Sequence, residues 1–199
     1  DTAMAAGSAI LGHAHPVVVE AIGKQAPLGV VFGMPTNNAF EYGSLLAKLM
    51  PWYENFVFCN TGSEATMRAI RIARAVTGRS KIAMFSGGWH GSHDMVLMDE
   101  EPGSDEANPR ARLKSPGTPA AMHEQMVFLP YNHEHAFELI RQNRDELAVV
   151  LIEPAQGSNP RDDMGDFLRE LREVTRECGI LLCFDEVITG FGRLGAASA

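Results

Sequence analysis

The chain has 199 residues, of which 45% are hydrophobic and 21% are charged, and its formal net charge is −8. This balance is typical of a globular domain with a sizeable core, and it excludes collagen, coiled-coil and disordered chains. An acidic chain repels phosphate backbones, so we expect no nucleic-acid partner. No apolar stretch reaches the roughly 18 residues of a membrane span. Residues 1–16 carry no basic segment before an apolar run, so we expect no signal peptide and a cytoplasmic location.

In chain order, the first half of the sequence predicts a short strand at 56–59, a turn, a helix at 64–77 and a strand at 81–85. Gly78 lies where a helix C-terminal cap is expected. The segment 99–122 is rich in proline, glycine and charge and is predicted to be a long loop.

The second half predicts a strand at 126–129, a short helix at 135–142 and strands at 147–152 and 180–184. The run at 147–152 is continuously apolar, as expected of a strand that is buried on both faces. A helix with one apolar face follows it, and Gly179 ends that helix. Strands that alternate with helices indicate an α/β fold, with a mostly parallel sheet and helices on both faces. Such sheets bind ligands beyond the C-terminal ends of their strands.

The first candidate site follows the strand predicted at 56–59. Thr61, Gly62 and Ser63 lie at a turn where a helix begins. Free N–H groups and the helix dipole favour an anion at such a position. Gly62 would let a phosphate approach the backbone, and the Ser63 hydroxyl adds a donor. The alternative interpretation is that Ser63 is an ordinary helix cap.

Two more candidates follow later strands. Trp89 and His90 lie among the glycines of 87–91, where an aromatic ring could stack on a planar ligand, although a Gly-rich turn with a packed Trp explains the pattern equally well. Asp185 ends the strand at 180–184, and a buried carboxylate needs a partner. A protonated ring nitrogen of pyridoxal phosphate (PLP) is one partner, and capping of the next turn is the alternative. Val187 projects to the same side as Asp185.

Taken together, these elements resemble the class III (subgroup II) aminotransferases, and within them the branch that is similar to glutamate-1-semialdehyde aminomutase. The matching stretches span nearly the whole chain and are LGHAHP, FGMPT, FCNTGSEATMRAIRIARAVTGR, KIAMFSGGWHG, SPGTP, LPYN, LIEP and DEVITGFGRLG. The resemblance implies the large domain of fold-type I PLP enzymes, with a seven-stranded, mostly parallel sheet.

The resemblance also implies roles for individual residues. Asp185 would pair with the ring nitrogen of PLP and is the expected catalytic residue. The expected cofactor-binding residues are Thr61, Gly62 and Ser63 at the phosphate, Trp89 and Val187 on the two ring faces, His90 in the pocket wall, Glu153 as a supporting carboxylate, and Asp185 itself. Ser158 departs from the family pattern, whereas Ile188 favours the aminomutase-like branch.

The family's Schiff-base lysine lies beyond Asp185, in a region that residues 1–199 do not reach. The chain's lysines are Lys24, Lys48, Lys81 and Lys114, and none lies where the family motif places it. We therefore expect residues 1–199 to be a partial PLP-binding large domain without the lysine region and the C-terminal small domain. We expect this chain alone to be inactive.

Other kinds of site are not expected. The His pairs 13/15, 90/93 and 133/135 lack a third ligand for zinc, so we expect no metal. Cys59, Cys178 and Cys183 lack a Cys-x-x-Cys spacing and are expected to be buried, reduced core residues. The absence of G-x-G-x-x-G argues against a dinucleotide-dependent oxidoreductase.

Two functions remain open. The first is a PLP-dependent aminotransferase or aminomutase that acts on an amino acid or a related amine or aldehyde. Its partners would be small amino donors and acceptors and a second copy of the chain in a homodimer, with FGMPT near the subunit boundary. The second is a non-catalytic, truncated paralogue that acts as a binding or assembly module.

Overall fold

A computed structural model describes residues 4–195, which divide into two units. The first unit contains residues 4–57 and 190–195, and the second contains residues 58–189. None of the helices in this part of the chain is long and apolar enough to span a membrane.

The first unit contains helix α1 (Pro16–Gln25), a single 3-10 turn (Ala26–Leu28) and helix α2 (Asn37–Leu49). Pro16 starts α1 because the first helical position needs no N–H donor. The Gln25 side chain donates to the carbonyl of Gly29 (2.7 Å) and accepts from Asn38 Nδ2 (3.0 Å). These two bonds join the end of α1 to the start of α2.

The second unit alternates helices and strands. Its elements are α3 (Gly62–Thr77), β1 (Lys81–Phe85), β2 (Met98–Glu100), β3 (Ala111–Leu113), α4 (Ala121–Glu124), β4 (Met126–Leu129), α5 (His135–Gln142), β5 (Leu147–Ile152), α6 (Gly165–Glu177) and β6 (Leu181–Phe184). Gly78 ends α3 in the left-handed conformation, and its N–H donates to Arg74, as the sequence predicts.

The main sheet has the strand order β4-β1-β5-β6, and all three pairs are parallel. Helices cover both of its faces. On one face, α5 and α6 pack on alternate residues of the strands, with Ile140, Phe167 and Leu171 among Phe85 and Val150. On the other face, α3 places its own apolar residues against β1 and β5; these are Ile70 and Ala73, which meet Ile82, Ala148, Val149 and Leu151. The expected parallel α/β fold is confirmed.

The strand expected at 56–59 is wrong, because these residues form no ladder with any strand of the described chain. The run Phe56-Val57-Phe58 is apolar, and an apolar run becomes a strand only where a neighbouring strand can take its N–H and C=O groups. Val57 and Phe58 are exposed instead.

The segment 99–122 is also more ordered than expected. β2, which begins one residue before this segment, pairs in antiparallel fashion with β3, with Met98 opposite Leu113, and α4 begins at the end of the segment. Strands of three residues are too short to show an alternating pattern, so the sequence gives no sign of this hairpin.

The cysteines differ from expectation as well, because Cys59, Cys178 and Cys183 are half-buried rather than buried, and none forms a disulfide. They lie at the end of the segment 56–59, at the end of α6 and on the edge strand β6, where cover is incomplete.

Candidate functional site

The candidate site lies at the edge where the parallel strands end. Parallel strands bring their C-terminal ends to one edge, and the strand order places the segments after β1, β5 and β6 side by side. Glu153 follows β5 directly and Asp185 follows β6 directly. The Asp185 N–H donates to the carbonyl of Ile152 (2.8 Å), so the two strands remain paired up to these carboxylates.

Asp185 is buried but well supplied with donors. Its Oδ2 lies 2.8 Å from Nδ1 of His90, and its Oδ1 accepts from the backbone N–H of Val187 at 3.1 Å. The side chains of Asp185 and His90 are 5% and 0% exposed. A buried carboxylate is tolerated where it receives hydrogen bonds, and these two bonds fix its orientation. Because a carboxylate only accepts, Nδ1 of His90 carries the proton of this bond.

Glu153 is a second buried carboxylate at this edge. Its Oε2 accepts from the backbone N–H of Trp89 at 2.9 Å. Burial raises the pKa of Glu153 and nearby Asp185 adds to this effect, while the bond from Trp89 and the charge of His90 oppose it. The bond holds the Trp89 backbone in place, and the residue as a whole is 48% exposed.

The start of α3 is capped by Thr61 rather than by Ser63. Thr61 Oγ1 accepts from Glu64 N–H (3.1 Å), and the Glu64 carboxylate accepts from Asn60 N–H (3.0 Å). This arrangement is close to a capping box. Ala65 N–H pairs with the carbonyl of Thr61, so the amides of Gly62 and Ser63 are the ones that this helix start can offer to a ligand.

Close packing joins the helix start to the loop after β1. The Ser63 hydroxyl accepts from Ser92 N–H at 3.1 Å. A Cβ atom on Gly91 would lie 2.6 Å from Ser63 Oγ, and Gly91 has a φ of +110°, so only glycine fits there. A Cβ atom on Gly62 would lie 3.1 Å from both methyl groups of Val187. Gly62 and Ser63 therefore touch the segments that carry Val187 and His90.

The structure brings the eight expected site residues into one connected group at this edge. They are Thr61, Gly62, Ser63, Trp89, His90, Glu153, Asp185 and Val187. Val187 is 57% exposed and presents an apolar surface, whereas His90 lies wholly inside, behind Asp185. The functional roles of these residues remain predictions.

Thr66 and His93, which the sequence analysis did not assign to the site, also support this edge of the sheet. Thr66, on the buried side of α3, has its hydroxyl 2.7 Å from the carbonyl of His90 and 3.1 Å from Nε2 of His93. Burial lowers the pKa of His93. A polar residue at an inward-facing position of α3 was the available signal for Thr66, because such residues are buried only where they have partners.

Two other chemistries find no support at this edge. Burial, assisted by Asp185, raises the pKa of the Cys183 thiol to about 11, so no nucleophilic thiolate forms there at neutral pH. Within residues 4–195, no group of three or more His, Cys, Asp or Glu side chains could hold a metal ion.

The edge fits a planar, phosphate-bearing ring with a basic nitrogen. It offers two free helix amides, an exposed indole and an exposed valine, and a buried carboxylate whose remaining lone pairs can accept an N–H. Any side chain at Gly91 would press into Ser63 at the helix start. Groups of these kinds can bind a phosphate, stack on a planar ring and pair with a protonated ring nitrogen.

Comparison with known proteins gives the family. The model of the family described as "Aminotransferase class-III" matches residues 1–199. The chain belongs to the class-III aminotransferases. The chain is 43% identical to the glutamate-1-semialdehyde 2,1-aminomutase of Methanothermobacter thermautotrophicus, over 100% of its own length and 46% of that protein.

Solved structures of transaminases agree. An omega-transaminase from Sphaerobacter thermophilus superposes with a TM-score of 0.89 at 40% identity, covering 98% of the chain and 45% of that protein. A transaminase with PLP bound superposes with a TM-score of 0.80 at 35% identity, covering 93% of the chain and 43% of that protein. The chain thus spans less than half the length of these relatives, and its fold is that of the fold-type I PLP transaminases.

Proposed function

We propose that this class-III chain is the cofactor-binding part of a PLP-dependent aminotransferase or aminomutase, acting on an amino acid or a related amine or aldehyde. Residues 1–199 would form a partial large domain. The active-site lysine and the small domain would lie outside these residues, so the 199-residue chain alone would not transfer an amino group. The aminomutase relative supports the substrate class.

PLP would supply an electron-withdrawing ring that stabilises negative charge on the carbon next to the reacting amine. The chain's own residues would hold that ring. The amides of Gly62 and Ser63 would bind the phosphate at the positive end of α3. The Trp89 indole and the Val187 methyl groups would cover the two ring faces. Thr61 would position this helix start through its cap, and Glu153 would hold the Trp89 backbone.

The proposal depends most on Asp185. Its carboxylate would accept the N–H of the ring nitrogen and keep that nitrogen protonated. His90 Nδ1 and Val187 N–H already hold the two oxygens, so the carboxylate needs no reorganisation when the ring binds. The proposed function depends on one observation. A buried carboxylate lies at the end of a strand with both oxygens already hydrogen-bonded, and beside it is a helix start whose free amides could bind a phosphate.

We further propose a cytoplasmic homodimer. α1 and the segment 30–34 expose large apolar side chains, namely Val17, Val18, Val19, Ile22, Val30, Val31, Phe32 and Met34. An apolar surface of this kind is typical of an interface. Three unpaired cysteines suit a reducing compartment. Light scattering of the full-length protein at micromolar concentration would give a dimer, and a monomer would contradict the proposal.

The test compares Asp185→Asn with the wild type in the full-length protein. A neutral amide keeps the shape of the side chain but cannot hold the ring nitrogen protonated. We expect the rate of amino-group transfer to fall by roughly 10²-fold or more, while the melting temperature changes little. The readouts are the keto product formed from an amino donor and the isomerisation of glutamate 1-semialdehyde, which separate an aminotransferase from an aminomutase.

Asp166→Asn is the matched control, because Asp166 is 97% exposed on α6 and lies in the same unit. It should leave both rates unchanged. Equal turnover of Asp185→Asn and the wild type would contradict the role of Asp185. A wild-type protein that binds PLP but transfers no amino group would instead support the non-catalytic binding module.

A further inference from the structure

Lys114 lies over the indole of Trp89. Its Nζ is 5.0 Å from the ring centroid, within the range of a cation–π interaction. Lys114 follows β3 directly, and its backbone N–H donates to the carbonyl of Leu97 (3.2 Å), just before β2. The hairpin base therefore fixes the point from which the side chain extends.

The ammonium group over the ring also has a carboxylate beside it. Its Nζ lies 3.9 Å from Oδ2 of Asp99, and the two side chains are 44% and 40% exposed. The Trp89 backbone N–H is bound to Glu153, which is only 5% exposed. Trp89 is thus held from the sheet through its main chain and from the hairpin through its ring.

We infer that Lys114 is a positioning residue that holds the Trp89 indole by one face and leaves the other face to stack on the cofactor ring. This inference rests on the proposed PLP function. The side chain of a half-exposed Trp would otherwise sample several rotamers, and ordering it on binding would weaken the stack. A cation on one face restricts the ring before the cofactor binds. The β2–β3 hairpin thereby takes part in the site without contacting the cofactor.

The test measures equilibrium binding of PLP to the full-length apoprotein. Lys114→Met keeps the aliphatic stem and removes the charge. It should raise the Kd for PLP about two- to five-fold, the value of one exposed cation–π contact, and reduce the visible circular dichroism of the bound cofactor. Lys114→Arg keeps a cation over the ring and should restore both values. Arg144→Met is the matched control and should leave the Kd unchanged, since it removes a positive charge from an exposed side chain of the same unit that pairs with Asp145.

A double-mutant cycle makes the test specific for the ring. In a Trp89→Leu background, Lys114→Met should change the Kd no further, because its partner is gone. An unchanged Kd and spectrum in Lys114→Met, tighter binding in that variant, or the same loss in both backgrounds would each overturn the inference. Failure of the wild type to bind PLP would contradict the proposed function itself, whereas normal wild-type binding with an unaffected Lys114→Met contradicts Lys114 alone.

Discussion

Nδ1 of His90 lies 2.8 Å from Oδ2 of Asp185, and both side chains are shielded from solvent. The two residues are far apart in the chain, and they meet because β1 and β6 flank β5 in the same parallel sheet. The pair places a fixed, buried carboxylate at the edge where this fold binds ligands. The hydrogen bond between Nδ1 of His90 and Oδ2 of Asp185 helps to fix the orientation of the carboxylate on which the proposed chemistry depends.

The pair predicts a ranking of His90 variants. His90→Leu leaves Asp185 buried with one donor fewer, which should lower the free energy of unfolding by about 1–3 kcal/mol. His90→Gln still offers an N–H donor and should lose less. Urea denaturation of the full-length protein at neutral pH measures both. If His90→Leu is as stable as the wild type, the hydrogen bond contributes nothing to the fold.

A second prediction concerns the contact between Gly91 and Ser63. Gly91→Ala adds a methyl group 2.6 Å from Ser63 Oγ at a φ of +110°. It should push the loop away from the helix start and weaken PLP binding. Gly103→Ala is the matched control, because Gly103 also has a positive φ, of +77°, but nothing lies within 4 Å of its Cβ position.

Both alanine variants strain the backbone at a positive φ, but only Gly91→Ala brings a methyl group against Ser63. Titration of each apoprotein with PLP separates the two effects. The expected result is a higher Kd for Gly91→Ala and a wild-type Kd for Gly103→Ala. Equal affinities of the two variants would show that the contact of Gly91 with Ser63 does not shape the phosphate site.

A third prediction follows from Glu153. Burial raises its pKa above the ordinary value of 4.5, so the folded chain keeps this proton at pH values where the unfolded chain has released it. Glu153 therefore stabilises the fold less and less as the pH rises from 4.5 through the raised value. Glu153→Gln cannot titrate, and its amide oxygen can still accept from Trp89.

The measurement is the free energy of unfolding of the wild type minus that of Glu153→Gln, followed against pH. The difference should fall as the pH rises above 4.5, by at most about 1.4 kcal/mol per pH unit, and then level off. A flat difference for Glu153→Gln would contradict the raised pKa.

The sequence predicted the parts of this molecule that depend on local pattern. β5 is apolar throughout, and Asp185 breaks an apolar strand, so both stand out without tertiary information. The three-residue strands β2 and β3 carry no periodic signal, so the sequence did not predict them. At 56–59 the opposite happened, because an apolar run predicted a strand that the structure does not have. The contacts of Ser63 with Ser92 and of Lys114 with Trp89 join segments 25 or more residues apart, and no local pattern encodes them.

The most direct test is a crystal structure of the full-length protein with PLP bound. The proposed site predicts the phosphate at the amides of Gly62 and Ser63 and the ring between Trp89 and Val187. It also predicts the ring nitrogen about 2.7–2.9 Å from a carboxylate oxygen of Asp185. A ring nitrogen directed away from Asp185, or a phosphate bound away from the start of α3, would contradict the account.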